Sequence, residues 1–517
     1  MSALSRRLPL FFLAIMALLI CGSAYLRLKF DFNAGHMDEY DYLFVGSRLL
    51  SGASWPSYTY IFGSDFNWYV LGWGERYLGG LSGARMVATG FGLLSLLGAY
   101  GFVYVLWRNH LTALIAVGLL ALQSTQLFIS RFATYDIISF ACFALFLAPL
   151  LLACELKSRA RYGYLLLAIV LISLSVTSKY VVVLYLPVLG ILALIRAPKI
   201  AVLYGAGVSV FLLSYVALHW DDLQVLYRVQ IQGVHGAGNG SLEYMLQAIG
   251  SYLWPALLGW TAAFTYCLWR SGVRFWMHHT GLVLVALLFA ALPLVAYHLN
   301  ALNMISLFKH LVYAQLFLLP ASAWLFTQLL EQVDYRWLKQ AVLAMVLVLF
   351  AGLNYQQLQK MEAAYADVSP ILSAMPNALD EETTILSEDP YLFRYFVRQA
   401  VPQNHIKESN WLDNNRDGRY ESKDVVDAIW DMKFSYVYLN DQLHPSLNKK
   451  LRKILKIRGY QELITQPYQL SSVMSRQTQG TLSLYKRMEM PRVSLKDDEL
   501  FDRGKGLKSV KQGASGE

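Results

Sequence analysis

Long apolar runs separated by short polar segments dominate the first 360 positions of the chain. A run of roughly 20 apolar residues can cross the hydrocarbon core of a bilayer as a helix. By this rule the pattern predicts about eleven membrane-spanning helices, which lie near residues 8–26, 86–106, 111–129, 137–154, 163–178, 180–195, 200–218, 249–269, 280–298, 311–330 and 340–358. The predicted fold is therefore an all-α polytopic membrane domain over residues 1–360.

Two amphipathic patterns lie between the first and second predicted spans. Residues 35–52 have the sequence GHMDEYDYLFVGSRLLSG. Acids in a first turn complement the helix dipole and a glycine just past the end favours a stop, so this stretch predicts a short helix at the membrane surface. A second, aromatic-rich helix is predicted from about Asp65 to Tyr77, and its Trp and Tyr side chains suit the membrane interface. Adjacent helix positions point about 100° apart, so Asp38 and Glu39 are expected to face different neighbours.

The pattern changes after residue 360. Short β-type runs occur at 383–387 (TTILS), 434–440 (FSYVYLN) and 481–487 (TLSLYKR), and a helix is predicted to begin at about Asp424. Residues 361–490 are therefore predicted to form a small α/β domain outside the membrane. The polar, Lys- and Gly-rich residues 491–517 are predicted to be a disordered tail.

The composition is that of a membrane protein, and the distribution of positive charge predicts how the chain is oriented in the membrane. The 517 residues are 56% hydrophobic and 15% charged, which excludes an ordinary soluble domain. Twelve positive charges lie before the first predicted span or in alternate connections between spans, and they fall on one side if the count is right: Arg6, Arg7, Arg108, Lys157, Arg159, Arg161, Arg196, Lys199, Arg270, Arg274, Arg336 and Lys339. The positive-inside rule then places the N-terminus in the cytoplasm and the C-terminal domain outside. The net charge of +9 is accordingly interpreted as topology, and nucleic acid is not an expected partner.

The order of several short motifs resembles the GT-C superfamily of membrane glycosyltransferases. Asp38-Glu39 follows the first span, Asp136 in RFATYD precedes the fourth, and Lys179 in SKY lies between the fifth and sixth. Arg85 begins the second span, and Phe308-Lys309-His310 with Tyr313 lies at the tenth. Within the superfamily, the protein O-mannosyltransferase and lipid A aminoarabinose transferase branch (families 39 and 83) is the most similar. One departure is that SDFNWYVLGWG stands where relatives carry a proline-containing segment.

The resemblance implies transfer of a hexosyl or pentosyl group from a polyprenyl-phosphate donor to a glycan, lipid or protein acceptor, for a cell-envelope glycan at the bacterial inner membrane. Asp38 corresponds to the general base. Glu39 and Asp136 would orient it, hold the acceptor or bind a divalent metal ion. Fixed cations are needed to stabilise the leaving phosphate. The predicted phosphate-binding residues are Lys309, His310, Lys179 and Arg131.

Each of these residues also has a plain structural interpretation. Asp38, Glu39 and Asp136 would serve as helix caps. Lys179 and Arg131 would extend to the interface, and His310 would be an interfacial histidine with its hydrogen bonds satisfied. For the whole chain, a transporter or flippase of a lipid-linked sugar and an inactive assembly partner are the alternatives. A transporter favours charges near the membrane midplane, whereas these charges lie at predicted span ends.

A separate motif lies in the C-terminal domain. Residues 413–424 follow the pattern D-x-N-x-D-G-x5-D of a calcium loop, in which oxygen ligands occupy fixed positions and a glycine makes the turn. The predicted ligands are Asp413, Asn415, Asp417, Arg419 through its carbonyl, and Asp424. Position 12 is Asp where Glu is usual, so an Asx-rich turn with Asp424 near a helix cap is the alternative. A bound Ca²⁺ would be structural.

Overall fold

The computed structural model describes residues 3–29, 37–53, 63–234, 240–304, 306–376, 379–409, 412–415, 421–471 and 477–488. In this part of the chain a helical domain is followed by a small α/β domain. The helices of the first domain are α1 (Ala3–Arg27), α2 (Met37–Leu50), α3 (Asp65–Leu78), α4 (Gly80–Trp107), α5 (His110–Leu122), α6 (Ser124–Arg131), α7 (Tyr135–Glu155), α8 (Ala160–Ser178), α9 (Tyr185–Arg196), α10 (Pro198–Leu218), α11 (Trp220–Leu226), α12 (Leu242–Ser271), α13 (His279–Ala301), α14 (Leu307–Gln332) and α15 (Arg336–Glu362).

Each of the eleven predicted spans lies on a helix. Among the described residues, seven helices are long and apolar enough to cross a membrane, or eight if the bent pair α5–α6 is one span. The other three predicted spans correspond to α12 and to two shorter apolar helices, Ala14–Arg27 and Tyr180–Arg196. The pair α5–α6 bends by 63° at Gln123. The Ser124 N–H at this bend is buried, and it donates a hydrogen bond to the side-chain oxygen of Asn354, as a polar backbone group inside a membrane bundle requires.

The centre of the bundle is formed by α4, α7 and α14. Most of α14 is buried, and α7 crosses α4 closely because Gly98 has no side chain. A Cβ at Gly98 would lie 2.5 Å from the backbone of Ala144. Small residues at such crossings let helix backbones approach each other and pack well.

The amphipathic helices α2 and α3 pack against each other through two glycines. A Cβ on Gly46 would lie 2.6 Å from the carbonyl oxygen of Trp68, and one on Gly72 would lie 2.7 Å from Gly46. Residues 39–45 of α2 are all buried, because the C-terminal domain also covers this helix. By contrast, α3 leaves an aromatic face exposed, formed by Phe66, Tyr69, Trp73 and Tyr77. The sequence predicted both helices, but α2 is enclosed more completely than a helix lying on a membrane surface.

The C-terminal domain contains a five-stranded sheet in the order β2-β1-β3-β5-β4. Its elements are α16 (Ser369–Ser373), β1 (Ile385–Ser387), α17 (Pro390–Phe396), β2 (Ile406–Glu408), α18 (Ser422–Trp430), β3 (Tyr436–Asn440), α19 (Pro445–Ile457), β4 (Tyr460–Ser471) and β5 (Gln477–Arg487). Strands β2, β1 and β3 are parallel, whereas β5 runs antiparallel to both β3 and β4. The three predicted strands are β1, β3 and β5. Residues 489–517, which include the predicted tail, lie outside the described residues.

Candidate active site

Four helix termini meet at one end of the bundle and bring the predicted charges together. Asp38 lies in the first turn of α2, and Asp136 lies in the first turn of α7. Lys179 directly follows the last residue of α8, and Lys309 lies in the first turn of α14. The hydrophobic pattern predicted these ends to lie on one side of the membrane, and in the fold they are adjacent.

The four side chains form a continuous row of alternating charges. Lys309 Nζ lies 2.8 Å from Asp38 Oδ2 and 3.1 Å from Asp136 Oδ2. The other carboxylate oxygen of Asp136 accepts a hydrogen bond from Lys179 Nζ. Asp136 is 2% exposed and Asp38 is 26% exposed, so Asp38 is the more accessible of the two carboxylates. We call Asp38, Lys309, Asp136 and Lys179 the charged row.

Glu39 faces away from this row, as the 100° offset between neighbouring helix positions predicts. Its carboxylate is fully buried and binds Arg85 through two hydrogen bonds of 2.9 and 2.7 Å, from Nε and Nη2. The same carboxylate accepts a 2.7 Å hydrogen bond from the Ala133 N–H. The two parallel hydrogen bonds of a bidentate Arg–carboxylate pair fix the orientation of the two side chains relative to each other. Glu39 therefore ties α2 to α4 and to the loop before α7, which is a positioning role.

Two of the predicted phosphate-binding residues lie outside the charged row. Arg131 pairs with Glu362 at the end of α15 and donates to the carbonyl oxygen of Lys29. His310 shares a 2.8 Å hydrogen bond between its Nδ1 and Nε2 of His298. Adjacent residues of one helix point in different directions, which explains why Lys309 reaches the row whereas His310 contacts α13.

An aromatic wall that the motifs did not predict flanks the charged row. The rings of Tyr42 and Trp68 lie 4.8 Å apart, and those of Tyr42 and Tyr135 lie 5.3 Å apart. Lys179 Nζ lies 5.5 Å from the centre of the Tyr135 ring, within reach of a cation–π contact. Tyr42 lies four residues after Asp38, so helical spacing was a signal that these two side chains share a face.

The predicted metal sites stay predictions. Within the described parts of the chain, no group of three or more His, Cys, Asp and Glu side chains is placed to hold a metal ion. Of the calcium-loop ligands, Asp417 and Arg419 lie outside the described residues. Asp424 is buried and forms a capping box with Glu421, and it also accepts a hydrogen bond from the Asn414 N–H. These contacts agree with the alternative in which Asp424 caps a helix.

Residues 22–214 match the model of the dolichyl-phosphate-mannose-protein mannosyltransferase family, and this range contains Asp38, Glu39, Arg131, Asp136 and Lys179. No curated protein matches the chain.

Several solved structures have a similar fold, among them those of two membrane proteins. The crystal structure of ArnT from Cupriavidus metallidurans bound to undecaprenyl phosphate aligns with a TM-score of 0.59 at 13% identity, over 94% of this chain and 99% of that chain. The oligosaccharyltransferase AglB from Archaeoglobus fulgidus, in complex with an inhibitory peptide and a dolichol-phosphate, aligns with a TM-score of 0.51 at 12% identity, over 93% of this chain and 75% of that chain. At such identities the alignments establish the fold. Together with the family match, they confirm the resemblance to the GT-C superfamily of membrane glycosyltransferases that the sequence motifs predicted.

Proposed function

We propose that the chain transfers a hexosyl or pentosyl group from a polyprenyl-phosphate donor to an acceptor hydroxyl at the charged row. The observation that carries the proposal is the contact between Asp38 and Lys309. In this proposal Asp38 is the base for the acceptor, and Lys309, 2.8 Å from it, is the cation for the donor phosphate. ArnT from Cupriavidus metallidurans and AglB from Archaeoglobus fulgidus were each solved with a polyprenyl-type lipid phosphate, and such a phosphate is the leaving group that we propose here.

In the proposed reaction Asp38 removes the proton of the acceptor hydroxyl. The hydroxyl oxygen attacks the anomeric carbon, and the bond between that carbon and the phosphate oxygen breaks with inversion. The bonding electrons leave with the polyprenyl phosphate, whose charge Lys309 and Lys179 stabilise. The arriving donor phosphate competes with Asp38 for the ammonium group of Lys309. Donor binding thereby makes the Asp38 carboxylate available as a base.

The position of the charges favours an enzyme over a transporter. The charged row lies at helix ends, whereas a carrier is expected to hold ionisable side chains near the membrane midplane. Two other cations, Arg108 and Arg196, bind Glu155 where α4, α7 and α9 end, at the opposite ends of α7 and α9 from the row. This separation supports placing the charged row and the C-terminal domain on the membrane face opposite Arg108 and Arg196. Our proposal takes the face of the charged row as the outer one and the membrane as a bacterial inner membrane.

The variant Asp38→Asn tests the proposal. Asn caps a helix about as well as Asp but cannot accept the proton. Transfer from a labelled polyprenyl-phosphate sugar should therefore fall by about 100- to 10,000-fold, the usual loss on removing a general base. Expression and retention of the donor lipid should persist. Asp431→Asn, an exposed position in the C-terminal domain, is the matched control.

Lys309→Gln should behave differently, because it removes the phosphate contact and so weakens donor retention as well as turnover. Transfer by Asp38→Asn at the parent rate would contradict the assignment of the base. Movement of intact donor lipid across vesicles, without sugar transfer, would support the transporter instead.

A further inference from the structure

Two buried histidines form a hydrogen-bonded chain at the start of α14. His298 lies in the last turn of α13, and its Nδ1 atom is 2.7 Å from the carbonyl oxygen of Asn303, which follows that helix. Its Nε2 atom is 2.8 Å from Nδ1 of His310, in the first turn of α14. His298 and Asn303 are fully buried and His310 is 4% exposed, so solvent water does not compete for these bonds.

The donors and acceptors of this chain have one arrangement when both rings are neutral. A carbonyl oxygen can only accept, so His298 Nδ1 carries the hydrogen and donates it to Asn303. The Nε2 atom of His298 is then an acceptor, and His310 Nδ1–H donates to it. One side chain, His298, therefore holds both the backbone that leaves α13 and the first turn of α14.

The backbone between the two helices needs support of this kind. Leu302 and Ser306 have positive φ angles of 49° and 59°, a region that residues with a side chain seldom adopt. Such conformations persist only where the surrounding contacts impose them. His298 binds Asn303, and the Gly240 N–H donates a hydrogen bond to the carbonyl oxygen of Leu302. Contacts with neighbouring elements thus fix how the chain enters α14.

The rotation of α14 about its axis decides where Lys309 points. Neighbouring residues of a helix point about 100° apart, so a bond that fixes His310 also fixes the direction of Lys309. In this orientation Lys309 reaches both Asp38 and Asp136. In the proposed reaction the donor phosphate displaces Asp38 from the ammonium group. The bonds of the histidine pair to α13 take no part in that exchange, so they can hold the helix while it occurs.

We propose that His298 and His310 are positioning residues for the donor phosphate and act through Lys309. The inference rests on the proposed function, because it assumes that the phosphate binds at Lys309. It gives His310 a different role from the direct phosphate contact that the sequence motifs predict.

The affinity of the full-length protein in detergent for undecaprenyl phosphate tests this inference. His298→Phe keeps an aromatic ring but removes both hydrogen bonds. We expect it to bind the lipid about tenfold more weakly, the loss typical of one charge-assisted hydrogen bond. His298→Gln, which offers one donor and one acceptor, should bind with an affinity between those of His298→Phe and the parent. The control His110→Phe removes the contact of His110 with Tyr100, near the end of α4 that lies away from the charged row, and should bind like the parent.

A double-mutant cycle with Lys309→Gln separates positioning from general stability. If His298 acts through Lys309, the double variant His298→Phe/Lys309→Gln should bind no more weakly than Lys309→Gln alone. A purely structural role would lower the melting temperature and the fraction of protein that binds, but the affinity of that fraction would not change. Should His298→Phe fail to fold, His310→Phe replaces it in the same cycle, since it removes only the bond between the two rings.

Two results would overturn the inference and leave the proposed donor site in place. One is parent-like affinity of the histidine variant while Lys309→Gln binds weakly, and the other is an equal loss of affinity with and without Lys309. Parent-like affinity of Lys309→Gln would instead overturn the proposed donor site, and the inference with it.

Discussion

At the scale of single residues, two neighbouring acids have different roles because the helix points them in different directions. Asp38 contacts Lys309 and remains partly exposed, whereas Glu39 is enclosed by Arg85 and a backbone amide. A carboxylate whose oxygens are held by Arg85 in a sealed site is poorly placed to receive a proton from a substrate. We therefore propose that Asp38 acts on the substrate and that Glu39 holds Asp38 in position.

Glu39→Gln tests this division of roles. The substitution leaves the Arg85 charge buried without its counterion, and breaking a buried pair in this way costs about 3–5 kcal/mol. We expect a markedly lower melting temperature and poor expression, with Glu243→Gln at an exposed position as the control. The double variant Glu39→Gln/Arg85→Met should recover part of the stability. Normal stability of Glu39→Gln together with complete loss of turnover would make Glu39 a catalytic residue instead.

The sequence predicted the residues of the charged row but not the partners of every candidate. Asp136, Lys179 and Lys309 stand at ends of apolar runs, and Asp38 opens the amphipathic helix after the first run. The hydrophobic pattern therefore placed all four on one side of the membrane, and the resemblance to the GT-C superfamily singled them out. Arg131 also stands at such an end, but its partner Glu362 lies 231 positions away and no local pattern connects the two. The pairing of His310 with His298 likewise depends on how α13 and α14 are rotated against each other.

At the scale of elements, the position of Asp38 depends on how α2 crosses α3. The backbones touch at Gly46 and Gly72, where no side chain separates them. The sequence predicted both helices from their end signals and aromatic spacing, but a glycine within a helix does not by itself reveal which helix it contacts. The edge strand β4 was not predicted from the sequence, because the strand is polar and contains Pro467, which an edge strand tolerates.

Gly46→Ala should disturb this crossing. The added methyl group would lie 2.6 Å from the Trp68 carbonyl oxygen, so α2 must move away from α3 and carry Asp38 with it. Overpacking of this kind typically costs about 1–3 kcal/mol. We expect a lower melting temperature and reduced transfer. Gly90→Ala in α4, where a Cβ would meet nothing within 4 Å, should be neutral or slightly stabilising, as Ala favours a helix. Equal effects of the two substitutions would argue against the crossing.

At the scale of the whole molecule, the charge pattern predicts a topology that the fold accommodates. Reporter fusions after Lys360 should be active outside the cytoplasm, and fusions within 155–162 should be active inside, since the connection that carries Lys157, Arg159 and Arg161 is predicted to be cytoplasmic. The C-terminal domain packs on the end of the bundle that carries the charged row, through α17 against α2. A cytoplasmic C-terminal domain would therefore move the charged row, our proposed active site, to the cytoplasmic face.

The contact between the two domains buries acids as well as rings. The Tyr40 ring of α2 lies 5.4 Å from that of Phe396 in α17, in an edge-on arrangement. Burial raises the pKa of Asp41 to about 8, and the nearby negative charges of Asp38, Asp389 and Glu408 add to the effect, while Arg394 opposes it. Burial likewise raises the pKa of Asp389 to about 7. The two carboxyl groups are thus compatible with the docked domains when they carry protons.

This burial makes the stability of the docked domains depend on pH. A carboxyl whose pKa is higher in the folded protein than in the unfolded chain contributes its stability fully below the unfolded value, near 4, and loses it as the pH rises towards the folded value. For Asp41 this loss of stability therefore occurs between about pH 4 and about pH 8. We expect the melting temperature of the full-length protein in detergent to fall across this range. Asp41→Asn, which keeps the shape without the titration, should flatten the fall, whereas the exposed control Asp431→Asn should not. An unchanged slope in Asp41→Asn would show that the domain contact does not depend on a proton at this position.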